Sequence, residues 1–420
     1  MEISFKDANE FIRMANFNEK NTHGCWLFAS CNLDKVSPEQ AIQNLKNKFI
    51  YLLSNYKILR IILKNENSKL NWYYANNKDL DFNKLISIVD PPNDSPPKVL
   101  PTEPLPLWRI TLCLLNNNST NIRVDINHAI TDGRVIFDYL ELFSCISNGE
   151  EIPEKYTSRE GQDPLLPLDI HEFFEKNAFE TYKIPESWNK QKPIKLNPEV
   201  ELPSYAICDN WEFDYEPFKK FCEKNKVTMQ GIISASQARA IWNYHKGKYD
   251  DMELAVYTPV DIRQLKYTKE KIKKGLFQYN TSNIIPYVKK KPTIMEQILH
   301  CQEEMKKSYN SLEPVHSYIT CNNLMDLNTQ NINYIKEFPD YNSKCMFFAS
   351  NIGRVLEKEN VRFGLFMPVI EWGYWPAIYT FHNSKKICFT FERPYNVDKN
   401  YVDAVHNSIL EIYEFIKTNI

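Results

Sequence analysis

Asn127-His128-Ala129-Ile130-Thr131-Asp132-Gly133 decides the reading of this chain. It follows the stretch Ile122-Arg-Val-Asp-Ile-Asn127, where Ile122, Val124 and Ile126 alternate with Arg123, Asp125 and Asn127, as in a strand with one buried face. It precedes Val135-Ile-Phe-Asp-Tyr-Leu-Glu-Leu-Phe-Ser-Cys-Ile146, whose apolar positions Val135, Tyr139, Leu142, Phe143 and Ile146 recur at helical spacing. The segment is therefore a loop between a strand and a helix, where a sheet fixes the position of whatever side chain it carries. His128 is the side chain in that loop able to exchange a proton near neutral pH. With only 10 glycines and 8 histidines in 420 residues, one H-x-x-x-D-G arises by chance on the order of 1% of the time.

Outward from this loop the chain alternates strand and helix patterns. Gly24 to Asn32 reads as a strand. Ser37-Pro38-Glu39-Gln40 reads as a helix start, followed by Ala41, Leu45, Phe49, Leu52 and Leu53 on one face. Tyr56 to Leu63, Asn71 to Tyr74 and Leu107 to Leu115 read as further strands. Prolines at 153, 164, 167, 185, 193, 198 and 203 mark Glu151 to Pro203 as a long connection, with a short helix at 169–179. The second half restarts with a strand at Ala206 to Phe213, then helices at Pro217 to Lys224 and Gln230 to Tyr244, and a strand at Leu254 to Pro259. A helix at Thr293 to Tyr309, strands at 347–351, 361–370, 378–382 and 387–392, and a final helix at Lys399 to Lys417 complete the pattern.

Composition removes several classes. Lys+Arg 51 against Asp+Glu 53 leaves a formal charge of −2, without the basic excess of a nucleic-acid binder. Neither G-x-G-x-x-G nor a P-loop is present, and G-x-S-x-G is absent too. The 10 cysteines form no C-x-x-C pair, so no metal site is implied. Met1 to Lys20 lacks a signal-like apolar run and no stretch approaches a membrane span, so a cytoplasmic protein with reduced thiols is expected.

Four segments in order resemble the CoA-dependent acyltransferase superfamily, which includes chloramphenicol acetyltransferase, alcohol O-acetyltransferases, polyketide-associated acyltransferases and peptide-synthetase condensation domains. They are Ser37 to Arg60, the His128 loop, Thr258-Pro-Val-Asp-Ile-Arg263 and Ser350-Asn351-Ile352-Gly353. The resemblance implies an α/β fold of two chloramphenicol-acetyltransferase-like domains, each a mixed sheet flanked by helices, with an active-site tunnel between them. The expected division is 1–185, a proline-rich crossover at 186–204, and 205–420. It implies His128 as general base for attack of an alcohol or amine on an acyl-CoA thioester, with acyl-CoA a co-substrate and no bound cofactor. Asp132 would pair with Arg263 to hold the loop, supported by Gly133 and Asp261. Asn127, Ser350 and Asn351 are tunnel or oxyanion candidates, although Asn351 reads more readily as a backbone-satisfying turn residue. Trp372 and Tyr374 are readable either as core or as an acceptor pocket, and Lys269 to Lys274 either as a solvated loop or as a contact for CoA phosphates. Asn127 stands where condensation domains carry a second histidine, and the plant-type D-F-G-W-G is missing, which favours a stand-alone enzyme. A carrier-protein-bound donor, or a silent relative of the fold, are the alternatives.

Overall fold

A computed structural model describes residues 3–15, 19, 22, 24–67, 69–89, 105–115, 119–157, 204–266, 281–323, 347–366, 368–369 and 376–420. The expected helix at 169–179, the crossover at 186–204 apart from Ser204, Lys269 to Lys274, and Trp372 and Tyr374 lie outside these residues.

In chain order the first half holds β1 (Phe11–Met14), β2 (Trp26–Asn32), α1 (Pro38–Asn55), β3 (Ile61–Glu66), β4 (Lys69–Tyr74), β5 (Ile86–Ile88), β6 (Trp108–Leu114), β7 (Thr120–Asn127) and α2 (Val135–Ser147). The second half holds β8 (Ser204–Asp214), α3 (Tyr215–Asn225), α4 (Met229–Tyr244), β9 (Leu254–Asp261), β10 (Thr281–Ile284), β11 (Tyr287–Val288), α5 (Ile294–Asn310), α6 (Glu313–Asn323), β12 (Phe347–Arg354), β13 (Arg362–Phe366), β14 (Pro368–Val369), β15 (Ala377–His382), β16 (Lys386–Pro394) and α7 (Lys399–Thr418). Helix starts follow local chemistry. Ser37 accepts from Gln40 N with Pro38 in the first turn, Thr228 accepts from Gly231 N, and Thr293 and Glu296 form a reciprocal capping box.

Among the described residues the strands form two large mixed sheets and a small one. The first runs β13-β2-β7-β6-β5, the second β10-β9-β12-β15-β16-β8-β14, and β1-β4-β3 is separate. β12 runs parallel to both β9 and β15, and β5 parallel to β6, while the other pairings are antiparallel. One apolar core lies between the first sheet and α1 and α2, and another between the second sheet and α4, α5 and α7. The α/β class with mixed sheets is as expected.

One strand breaks the sequence order. β13 comes from the second half of the chain but is the edge strand of the first sheet, with Gly364 opposite Phe28 and Arg362 opposite Ser30. Gly364 allows this. A β-carbon there would fall 2.2 Å from a Phe28 ring carbon and 2.9 Å from Cys208 Sγ of β8, so no larger residue fits where the two halves meet.

Two local expectations are corrected. The strand anticipated from Tyr56 begins at Ile61, because Lys57–Arg60 is a single 3-10 turn. Arg60 folds back onto the Leu53 carbonyl and Asp7, and Trp108 Nε1 donates to the Leu59 carbonyl, which consumes that turn's polar groups. In β7 both faces are covered, not one. Asp125 is 2% exposed because Arg123 pairs with it at 2.7 Å, while the Arg123 guanidinium lies over the Phe28 ring.

Glycine substitution separates the two close approaches. Gly364→Ala should lower stability by about 1–3 kcal/mol or more through overpacking, whereas Gly133→Ala should cost under about 1 kcal/mol, because its β-carbon would meet Ile352 at an ordinary 3.5 Å. Denaturant unfolding of both variants checks the order, and a larger loss in Gly133→Ala would contradict it.

Candidate active site

The loop after β7 is built by its own side chains. Asn127 is fully buried and its Oδ1 accepts from Ala129 N at 3.0 Å, tightening the first turn. His128 N donates to the Cys25 carbonyl at 2.9 Å, which ties the loop to the start of β2. Asp132 Oδ1 accepts from Arg134 N at 3.0 Å and Val135 N at 2.9 Å, so the loop ends by capping α2.

His128 is half-buried, and its Nδ1 lies 2.8 Å from the Thr131 carbonyl oxygen. A carbonyl only accepts, so Nδ1 carries the hydrogen and Nε2 presents its lone pair. Burial pushes the imidazole below its usual 6.5, against the opposite pull of the Thr131 carbonyl and Asp132. The result is a neutral ring in the tautomer a general base requires. The Cys25 thiol beside this loop is pushed up to about 12 by burial and the Glu392 carboxylate, so it does not ionise near neutral pH.

Asp132 Oδ2 meets Arg263 Nη2 at 3.2 Å across 131 positions of sequence. Asp261 holds the same guanidinium at 2.7 Å through Nε and also accepts from Arg263 N at 2.9 Å. Arg263 is 7% exposed. Burial opposes its charge, but the two carboxylates overcome that and hold it more strongly protonated than usual. The pair thus links the loop of the first half to the end of β9 in the second.

Gly133 faces Ile352 of β12, which brings the Ser350–Gly353 segment to the same place. A register shift lies between Asn351 and Gly353, where Gly353 has φ +87°. Asn351 is exposed and its Oδ1 accepts from Gly353 N at 3.1 Å and Thr380 Oγ1 at 3.3 Å. Gln230 of α4 grips both sides of this bulge, donating to the Ala349 carbonyl and accepting from Asn351 N, each at 3.0 Å. The Asn351 side chain is thus engaged in the bulge, and the Asn127 side chain in its own loop. Ser350 is half-buried on β12, in register with Tyr379.

The sequence reading passed over Tyr379 and Glu392. Tyr379 donates to Glu392 Oε2 at 3.0 Å, and they are 6% and 4% exposed. Burial pushes the Glu392 carboxyl up to about 8, although the Tyr379 hydrogen bond works the other way. Cys388, Thr390 and Glu392 alternate with Ile387, Phe389 and Phe391, so the sequence signal was that of a solvent-facing polar edge; the first half of the chain covers it instead. Among the described residues, no group of three or more His, Cys, Asp or Glu could hold a metal ion, and no helix is long and apolar enough to cross a membrane. A surface groove of about 750 Å³, lined by Asn243, Tyr244, His245, Asp403 and Asn407 among others, contains none of these residues.

Two measurements test this arrangement. Arg263→Ala should cost about 3–5 kcal/mol by stranding the buried Asp132 carboxylate, Asp132→Ala should cost less because Asp261 still pairs the guanidinium, and the double variant should lose less than the sum; strictly additive losses would show that the groups do not interact. For Glu392, the native state keeps a proton that the unfolded chain releases above about 4.5, so stability should fall between about pH 4.5 and pH 8 and level off above it. Glu392→Gln should flatten that slope, and an unchanged slope would contradict the assignment.

No family model matches the chain, and no curated protein sequence matches it. Solved structures do. Polyketide synthase associated protein 5 from Mycobacterium tuberculosis aligns with TM-score 0.68 over 96% of this chain and 99% of its own, at 10% identity. The epimerization domain from the third module of tyrocidine synthetase B aligns with TM-score 0.67 over 98% of both chains, at 12% identity. Trichothecene 15-O-acetyltransferase from Fusarium sporotrichioides aligns with TM-score 0.64 over 96% and 95%, at 12% identity. At such identities the likeness is one of fold, and the chain has the fold shared by these acyltransferase and condensation-type structures.

Proposed function

We propose that the protein is an acyltransferase that moves an acyl group from an acyl-CoA thioester to an alcohol or amine. The observation that carries this reading is the His128 ring, whose Nδ1 donates to the Thr131 carbonyl so that Nε2 is the unprotonated nitrogen, on a loop held by Arg263. Nε2 takes the hydroxyl or amine proton as the acceptor atom attacks the thioester carbonyl carbon. The tetrahedral intermediate expels the thiolate, which recovers that proton from the imidazolium and leaves as CoA-SH. Holding acceptor, imidazole and thioester in line between the two halves of the chain supplies the rest of the rate. The eight described cysteines are free thiols, which fits a reducing compartment, and we place the reaction in the cytoplasm.

A second reading keeps the chemistry and changes the donor. Structures of this fold include peptide-synthetase condensation and epimerization domains, which favours testing a thioester carried by a partner protein's phosphopantetheine arm. In either case the acid–base work rests on His128.

The test is thiol release from a panel of acyl-CoAs with alcohols and amines, with products identified by mass. His128→Ala should lower turnover by about 10²–10⁴ with unchanged unfolding; retention of more than about a tenth of the rate would remove His128 as the base. Because burial holds the folded-state pKa below 6.5, kcat/KM should rise with pH to a midpoint under 6.5. A midpoint above about 7 would contradict the buried neutral base.

A further inference from the structure

The inner face of the second sheet carries a continuous run of side chains that the proton transfer does not use. Tyr257 of β9 and Phe348 of β12 are register partners and stack at 5.4 Å between ring centroids. Phe348 meets Tyr379 of β15 at 5.4 Å, and Phe363 of β13 closes edge-on against Tyr379 at 5.2 Å. The run ends on Glu392 of β16, through the Tyr379 hydroxyl. Tyr257, Phe348 and Ser350 are only partly covered, so the run is open at one end and buried at the other.

Two links connect the strands of this run to the His128 loop. Ile352, further along β12 from Phe348, lies against Gly133. Glu392 lies close enough to Cys25 to act on its thiol, and the Cys25 carbonyl holds His128 N. An aromatic run thus shares β12 with the residue that packs on the loop, and finishes in a phenol and a carboxyl group.

We propose that this run is the acceptor subsite, taking an aromatic alcohol or amine whose ring lies on Tyr257 and Phe348 and whose second polar group is held by Tyr379 and Glu392. The proposal rests on the acyl-transfer reading above. Rings favour offset-stacked or edge-on neighbours, which this run offers along its length. Glu392 is protonated at neutral pH, so with Tyr379 it can both donate to and accept from a phenolic hydroxyl. A site that hydrogen-bonds a substrate group rejects the analogue lacking it more strongly than an apolar pocket rejects a changed methylene.

The experiment uses the full chain and three probes: 2-(4-hydroxyphenyl)ethanol, 2-phenylethanol and 2-cyclohexylethanol. Affinities come from ligand-observed NMR titration, which needs no turnover, alongside thiol release from acetyl-CoA. The hydroxyphenyl probe should bind at least about tenfold more tightly than the cyclohexyl probe. Tyr379→Phe and Glu392→Gln should each weaken the hydroxyphenyl probe about tenfold, leaving 2-phenylethanol within about twofold. Equal affinity of the three probes for the wild-type chain would overturn the proposal, and that measurement depends on no variant folding. Unchanged binding of the hydroxyphenyl probe to folded variants would overturn it as well. The two readings fail separately: selective binding without thiol release from any donor would sink acyl transfer alone, while thiol release with aliphatic alcohols and no aromatic preference would sink the subsite alone.

Discussion

The buried guanidinium of Arg263 is the constraint on which the site depends. It is held by Asp132 from the loop of the first half and by Asp261 at the end of β9 in the second, at 3.2 and 2.7 Å. A single flexible cation would not fix a loop, but a planar fork gripped on two edges does. Asp132 spends its other oxygen on the first backbone N–H groups of α2, so one carboxylate joins loop, helix and the opposite sheet. The His128 ring inherits that rigidity through Thr131, the residue next to Asp132. Desolvation makes such a pair costly to break rather than strongly stabilising, which suits a part whose purpose is position.

The second joint between the halves is apolar. β13 leaves the second half, pairs with β2 and places Phe363 against Phe137, Phe381 and Tyr379. Gly364 lets Phe28 and Cys208 approach across it. The polar joint is anchored in the His128 loop itself and the apolar joint on β2 and β13, and together they set the spacing of the two halves of the chain. Preorganisation of this kind is the expected source of rate for direct transfer, because neither a metal nor a covalent nucleophile is called upon.

Much of this was legible in the sequence. The alternation in Ile122–Asn127, the helical stripe behind Val135 and the Ser37-Pro38 start each follow from local chemistry, and each element forms where its pattern ends. The Asp132–Arg263 contact was legible only through the resemblance, since nothing local connects residues 131 positions apart. What escaped has a common cause: covering by the other half of the chain. The Arg123–Asp125 face of β7 reads as solvent-facing because alternation reports polarity, not what lies above it, and the same alternation in β16 gives no sign that its polar face is covered. α6 (Glu313–Asn323) and β10 (Thr281–Ile284) are rich in polar and β-branched residues and owe their form to neighbours in space. Asn127 and Asn351, read as tunnel or oxyanion candidates, each use the side-chain oxygen to accept from a nearby backbone N–H, Ala129 N and Gly353 N.

The central claim is direct transfer, with His128 acting on the acceptor rather than on an enzyme nucleophile. Intact-protein mass spectrometry after quenching the protein with acyl-CoA alone tests it most directly, paired with initial rates varied in both substrates. The account predicts an unmodified mass and intersecting double-reciprocal lines, the signature of a ternary complex. A stoichiometric acyl adduct that disappears on adding acceptor, with parallel lines, would contradict it.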